Sequence, residues 1–303
     1  MKDITHKPDT LRSARATATI RMPAFCVELL RERKAEKGDA LEIAKSAGYL
    51  AAKKTWELLP LCHPLPLQNI DIDYELQDEA VRIEVEVSLV AGTGVEMEAL
   101  TAASVTALTL YDMLKPHAGT DLSIEDIRLL RKKGGKSHYK RQFPAGCSGA
   151  LLVVSADIAS GNKPDKAGQY VKDVLTEAGL DICEHLAIAD DIETIQAKIR
   201  AWADAGIDFI ITLGGTGISP DDCTVEAVTP ILSREMPGIM EAARHYGQQR
   251  TPYALMSRGI AGLLNHSLIV TCPGSRKGAE ETLDALLPGL VHALEVVRAF
   301  KAQ

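Results

Sequence analysis

The apolar residues of this chain keep one rhythm up to about residue 140 and another beyond it, and no single layer architecture satisfies both. Ala80–Ala91 (AVRIEVEVSLVA) alternates apolar and polar side chains, as an antiparallel strand with one wet face does. Ile70–Tyr74 (IDIDY) alternates likewise, which predicts pairing with it across the QDE turn. Ala40–Lys54 and Glu98–Lys115 carry long Ala/Leu faces at helical spacing. A few antiparallel strands covered by two helices predict an α+β antiparallel sandwich. Later, short apolar runs appear at 150–155 (ALLVVS), 208–213 (DFIITL) and 267–272 (SLIVTC), with helical stretches near 165–178, 191–205 and 225–233 between them. Strands that alternate with helices need crossovers, so the second half is predicted to be an α/β three-layer domain with a mostly parallel sheet. The segment GGKSHYKRQFPAGCSG (134–149) is basic, contains Pro and Gly and lacks periodicity, which predicts a linker. Domains are therefore expected over residues 1–140 and 149–303.

Composition excludes several classes of function. Residues 1–140 carry 20 basic and 21 acidic side chains, and the remainder 14 and 20, so neither half has the positive excess of a nucleic-acid binder. Aromatic residues make up 4% of the chain, too few for base-stacking platforms. No apolar run approaches the roughly 18 residues of a membrane span, and the polar opening MKDITHKPDT lacks a basic-plus-apolar leader. A cytoplasmic location is expected. The six cysteines (26, 62, 147, 183, 223, 272) form no CxxC pair and read as free thiols.

Four clusters in the first half carry potential chemistry. Lys37, before Gly38 and Asp39, is either a solvated lysine or a cation held by a glycine turn. His63 lies in LPLCHPLPL (59–67), where prolines stiffen the backbone, and is either a satisfied core histidine or a pre-positioned acid/base group. Its neighbour Cys62 is poorly placed to share a metal with it. Glu96 and Glu98 flank Met97 after the Gly92-Thr93-Gly94 break. If extended, they share a side and one holds its proton more tightly; alternatively, Glu98 simply favours the start of the following helix. Asp112 and Lys115 are spaced to pair on one helical face, and Lys132, Lys136 and the Gly134-Gly135 backbone could wrap a polyphosphate. The GGKS string lacks the spacing of a Walker A loop.

The strings KGD (37–39), AAKKTWELLPLCHPLPL (51–67), TGVEMEALTAASVTALTLYDMLK (93–115) and GGKS (134–137) closely resemble the MoaC family of cyclic pyranopterin monophosphate synthases, with Asp3, Lys7, Thr10 and Arg12 fitting its opening pattern. The resemblance implies an antiparallel α+β fold, a homo-oligomer (trimer or hexamer) with active sites at subunit interfaces, and no tightly bound cofactor in this half. The substrate would be 3′,8-cyclo-7,8-dihydroguanosine triphosphate, converted to cyclic pyranopterin monophosphate with release of pyrophosphate. Carried over residue by residue, the catalytic set is Lys37, His63, Glu96, Glu98, Asp112 and Lys115, and the substrate-binding set is Cys62, Met97, Lys132 and Lys136. Lys37, Lys132 and Lys136 would hold the triphosphate, Lys115 oriented by Asp112 would be the central acid/base, and His63 and the glutamates would shuttle protons. Leu114 stands where a cysteine is frequent, and His138 where a glycine is frequent.

In the second half an apolar strand runs into Gly214-Gly215-Thr216-Gly217, then Ser219-Pro220-Asp221-Asp222, and a helix is expected near Thr224. Such a loop at the carboxyl end of a strand suits a phosphate-bearing ligand, although a tight strand–helix turn needs none. Pro273-Gly274-Ser275 predicts a second loop of the kind. GGTGISPDDCTVEA (214–227), REMPGIMEAAR (234–244), ALMSRGIAG (254–262) and IVTCPGS (269–275) resemble the MoaB/MogA molybdopterin-binding and adenylyltransferase domains. That implies molybdopterin as ligand, ATP as co-substrate, and Asp190 and Asp222 as candidate magnesium ligands. Asp221 replaces the usual arginine and Ala156 a usual aspartate, so adenylyltransfer and a non-catalytic binding or assembly role both remain open. The domain order fits natural MoaC–MoaB fusions.

Overall fold

The computed structural model describes residues 1–135, 138–139 and 142–301. The chain divides into two compact units, Met1–His138 and Tyr139–Gln303.

The first unit runs β1 (Thr10–Arg21), α1 (Ala24–Arg31), α2 (Ala40–Lys53), α3 (Thr55–Leu58), β2 (Asn69–Leu76), β3 (Ala80–Ala91), α4 (Glu96–Ala118) and β4 (Ser123–Lys133). Among the described residues its strands form one antiparallel sheet in the order β2-β3-β1-β4. The pairing expected from alternation is present, with Asn69 opposite Ser88 and Leu76 opposite Val81. Ala14, Ala16, Ala18 and Ile20 of β1 and Val81, Ile83, Val85 and Val87 of β3 point to one face, where α4 covers them, with α2 packed against α4 and β2. Helix α2 starts at Asp39, whose carboxylate accepts the Glu42 amide. It lies close on α4 because residue 48 is glycine: a Cβ there would sit 2.2 Å from Thr106 Oγ1. Strands β1 and β4 escape the sequence reading. β1 alternates alanine with threonine and arginine, a weak apolar signal. β4 is largely exposed, with register shifts against β1 and Asp126 at φ 58°.

The second unit runs β5 (Ser148–Val154), α5 (Ala156–Ala159), α6 (Lys166–Glu177), β6 (Asp181–Ile188), α7 (Ile192–Asp204), β7 (Phe209–Leu213), α8 (Thr224–Val228), β8 (Arg234–Glu235), α9 (Pro237–Gln248), β9 (Ala261–Leu264), β10 (Ser267–Cys272) and α10 (Arg276–Lys301). Among the described residues the sheet order is β6-β5-β7-β10-β9-β8, parallel through β10 and antiparallel at the β9–β8 edge. Alternate residues of β5 serve two cores. Leu151 and Val153 pack against α6, α9 and α10, while Ala150, Leu152 and Val154 pack against α7 and α8, the three layers expected. Asp165 and Asp191 cap α6 and α7 through the Gly168 and Thr194 amides.

Two local expectations fail. The linker read over 134–149 is partly core, because Phe143 is buried against Phe209 at a centroid distance of 6.1 Å and Cys147 is buried. The helix read over 225–233 is α only across Thr224–Val228, then a 3-10 turn through Ile231, so its dipole is too short to favour a phosphate strongly.

Candidate functional site

Helix α4 organises the first unit's chemistry and separates it into two groups. At its start, Glu96 and Glu98 occupy the first helical turn rather than an extended segment, so the two side chains diverge. Glu98 is 4% exposed, and burial, then the neighbouring Glu96, pushes its carboxyl up. Glu96 stays half-buried and pairs with Lys132 of β4 at 3.4 Å. The proline-stiffened segment comes to the same end: burial, then the charge of Glu98, raises the Cys62 thiol. His63 is half-buried, with Nε2 donating to the Lys2 carbonyl oxygen at 2.9 Å in the matching tautomer. Met97 is 41% exposed. Arg12, which is buried, donates to the Ala91 carbonyl oxygen at 3.0 Å and packs under Gly134 and Gly135, joining two glycine turns.

At the other end Lys37, Asp112 and Lys115 form one ionic cluster. Lys115 Nζ lies 2.6 Å and Lys37 Nζ 3.0 Å from the Asp112 carboxylate, and the Lys115 hydrogen bond, then the Lys37 one, holds that carboxyl below its usual range. Lys37 also donates to the Asp112 main-chain oxygen at 3.1 Å. That oxygen is the acceptor a residue at 116 would normally use in the helix, and Pro116 has no N–H to offer. The proline thus frees the carbonyl that Lys37 takes. Pro116 is the signal in the sequence that marks this partner, and it went unread. Glu98 and Asp112 are fourteen residues apart on one helix, about 21 Å along its axis. One chain therefore does not gather its own candidate set around one small molecule. Lys136 lies outside the described residues.

The second unit brings its candidates together. Gly214, Gly215, Thr216, Gly217, Asp222, Pro273, Gly274 and Ser275 all line one cavity of about 680 Å³ at the carboxyl ends of β7 and β10. Gly214 (φ 104°) and Gly215 (φ 62°) are required by the protein itself, since a Cβ would meet the Val154 carbonyl oxygen or Thr224 Oγ1 at 2.3 Å. The loop is held by Thr224, whose hydroxyl donates to the Gly214 carbonyl oxygen, and by Arg258, which donates to the Gly217 and Asp222 carbonyl oxygens and pairs with Glu226. Arg244, Lys277 and Glu281 supply further charged lining, and Tyr253 and Met256 an apolar margin. These side chains come from α9, α10 and a 3-10 turn, and none sits in a glycine loop. Asp190 does not line the cavity; its Oδ2 accepts the Ala156 amide at 3.3 Å. Asp190 and Asp222 both act electrostatically on Cys223, whose thiol is raised first by burial.

Residues 1–135 match the MoaC family, and residues 150–292 match the family described as "Probable molybdopterin binding domain". Over 98% of its length the chain is 39% identical to a molybdenum cofactor biosynthesis bifunctional protein of Chlorobaculum tepidum, 94% of which is covered. The chain belongs to this bifunctional family. A relative of the same description from Synechococcus elongatus is 35% identical over 98% of the chain and 97% of its own length. The first unit alone is 50% identical to a cyclic pyranopterin monophosphate synthase of Parvibaculum lavamentivorans, across 45% of this chain and 86% of that protein. The bifunctional family thus accounts for two cores of different class on one chain. No helix among the described residues is long and apolar enough to cross a membrane.

Proposed function

We propose that the first unit converts 3′,8-cyclo-7,8-dihydroguanosine triphosphate to cyclic pyranopterin monophosphate and pyrophosphate, in the cytoplasm, at a site completed by a second copy of the chain. The observation that carries this reading is the separation of the two residue groups along α4. A two-fold pairing of α4 against its copy sets the Glu98 end of one chain beside the Lys115 end of the other. In that site Lys37, Lys132 and Lys136 hold the triphosphate. Lys115, oriented by Asp112, moves protons at the ring, and Glu98, whose carboxyl burial pushes up, acts as an acid. His63 and Glu96 relay protons at the same end, while Cys62 and Met97 shape the pocket. Co-assembling Glu98→Gln chains with Lys115→Ala chains tests the shared site. Each variant alone is inactive, and the mixture regains roughly a quarter of parental turnover, the share of intact sites in random two-fold pairs. No recovery in the mixed assembly refutes the shared site.

The second unit's cavity, with its glycine loops and mixed charge, fits molybdopterin and the ATP that would adenylylate it. Asp190 and Asp222 each use one oxygen on an amide, of Ala156 and Ser219, and keep the other. Among the described residues no group of three His, Cys, Asp or Glu could hold a metal. Two carboxylates with open oxygens suit magnesium, which takes waters and substrate phosphates for its remaining positions. Bound there, magnesium would neutralise charge developing on the phosphates. Asp221 is exposed and lies outside the cavity lining, which favours tolerance of that replacement and so the adenylyltransferase reading over a purely binding role.

A further inference from the structure

A second cavity, of about 390 Å³, opens beside the first at the carboxyl ends of β5 and β7. Val153, Val154 and Leu213 give it an apolar floor, Gly274 and Ser275 form a wall shared with the larger cavity, and Ser155, Lys163, Lys166 and Arg276 supply its polar groups. Its position follows from connectivity. The chain leaves β5 through α6 to β6 on one side, then crosses through α7 to β7 on the other, so consecutive crossovers diverge between β5 and β7. The crevice outside the strand ends at such a switch point is where open α/β sheets bind ligands.

Charge sets this cavity apart from its neighbour. The larger one places Asp222 and Glu281 among its cations, whereas the smaller has three cations and no carboxylate in its lining. None of the three takes part in an ion pair among the described residues. Arg276 is held instead over the Tyr170 ring, 5.4 Å from its centroid. The Ser155 hydroxyl makes no hydrogen bond among the described residues. The 26-residue α10 begins at Arg276; the Ser275 hydroxyl accepts the Gly278 amide, which leaves the Arg276 and Lys277 amides without an acceptor among the described residues. Asp157, next to Ala156 in this turn, lies outside the cavity lining, and Asp190 reaches the turn only at the Ala156 amide.

We propose that this smaller cavity binds a condensed phosphate through Lys163, Lys166, Arg276 and Ser155. The phosphates arrive either as free diphosphate or as the terminal groups of a nucleoside triphosphate whose remainder lies across Gly274-Ser275 in the larger cavity. The nucleotide arm rests on the adenylyltransferase reading of the second unit and the diphosphate arm does not, and the test is binding rather than turnover, so the two can fail separately. The full chain is titrated calorimetrically with diphosphate and with ATP, without divalent metal. Lysine acylation is followed by peptide mass spectrometry with and without diphosphate, which separates this cavity from Lys37, Lys115 and Lys132. Lys163 and Lys166 are expected to react at least fivefold more slowly with diphosphate present, and Lys163→Ala/Lys166→Ala/Arg276→Ala to lose at least tenfold in diphosphate affinity for one class of site. An equal loss of ATP affinity assigns the phosphates to a nucleotide; unchanged ATP affinity assigns the site to free diphosphate. Equal acylation of both lysines with and without diphosphate overturns the proposal, whether or not the triple variant folds.

Discussion

The two units solve the same problem, presenting cations and acids to a phosphorylated substrate, in opposite ways. In the second unit the crossovers of a parallel sheet deliver loops to one edge, and the candidate residues of two glycine loops meet in one cavity. In the first unit a single helix carries candidates at both ends, about 21 Å apart, and nothing among the described residues folds them back together. A parallel sheet builds a site within one chain because its strand ends converge. An antiparallel sheet under long helices leaves its functional groups spread along those helices, and the proposed second copy is what would close the gap.

The comparison can be broken most sharply at Lys115. Lys115→Ala should lower cyclic pyranopterin formation about 1000-fold, within the range for a lost acid/base group, with unchanged sedimentation. Near-parental turnover would leave the ionic cluster at the end of α4 without a chemical role. Gly215→Ala should cost the second unit about 1–3 kcal/mol through its left-handed backbone and the contact with Thr224. Each unit holds one tryptophan, Trp56 and Trp202, so fluorescence-detected urea unfolding of single-tryptophan variants should show only the Trp202 transition moving.

Glu98 gives a pH signature that belongs to the first unit alone. Its folded carboxyl is raised, so the unfolded chain loses that proton at lower pH, and stability falls as pH rises through the folded pKa. Glu98→Gln should flatten that decline in the Trp56 transition, and an unchanged slope would contradict the burial effect. The smallest effect is expected from Pro116→Ala, which returns an amide to the Asp112 carbonyl and competes with Lys37. KM should rise two- to fivefold with kcat nearly constant, as suits one hydrogen bond of about 0.5–1 kcal/mol. An unchanged KM would show that Lys37 does not need that second acceptor.

Much of this was legible in the residues. Alternation in β2 and β3, the helical stretches of α6 and α7 and the apolar runs of β5, β7 and β10 placed both fold classes, because each signal is local. β1 and β4 were missed, as alanine alternation and a bulged, exposed edge give little contrast. The glutamates were legible as a pair, but their spacing left open whether they extend the strand or start the helix, and only the structure decided that they diverge. α10, which lines the larger cavity with Lys277 and Glu281, had no motif to announce it, and the string REMPGIMEAAR marked α9 without marking Arg244 as cavity lining.

By itself the sequence determined the chemistry on offer: which lysines, acids and glycines exist, and in which periodic segments they sit. The tertiary structure decided which of them meet. Sheet topology gathered Gly214 and Ser275 from strands sixty residues apart, α4 held Glu98 away from Lys115, and burial rather than spacing raised the Glu98 carboxyl. Proximity and desolvation depend on packing between distant segments, and no local pattern encodes them.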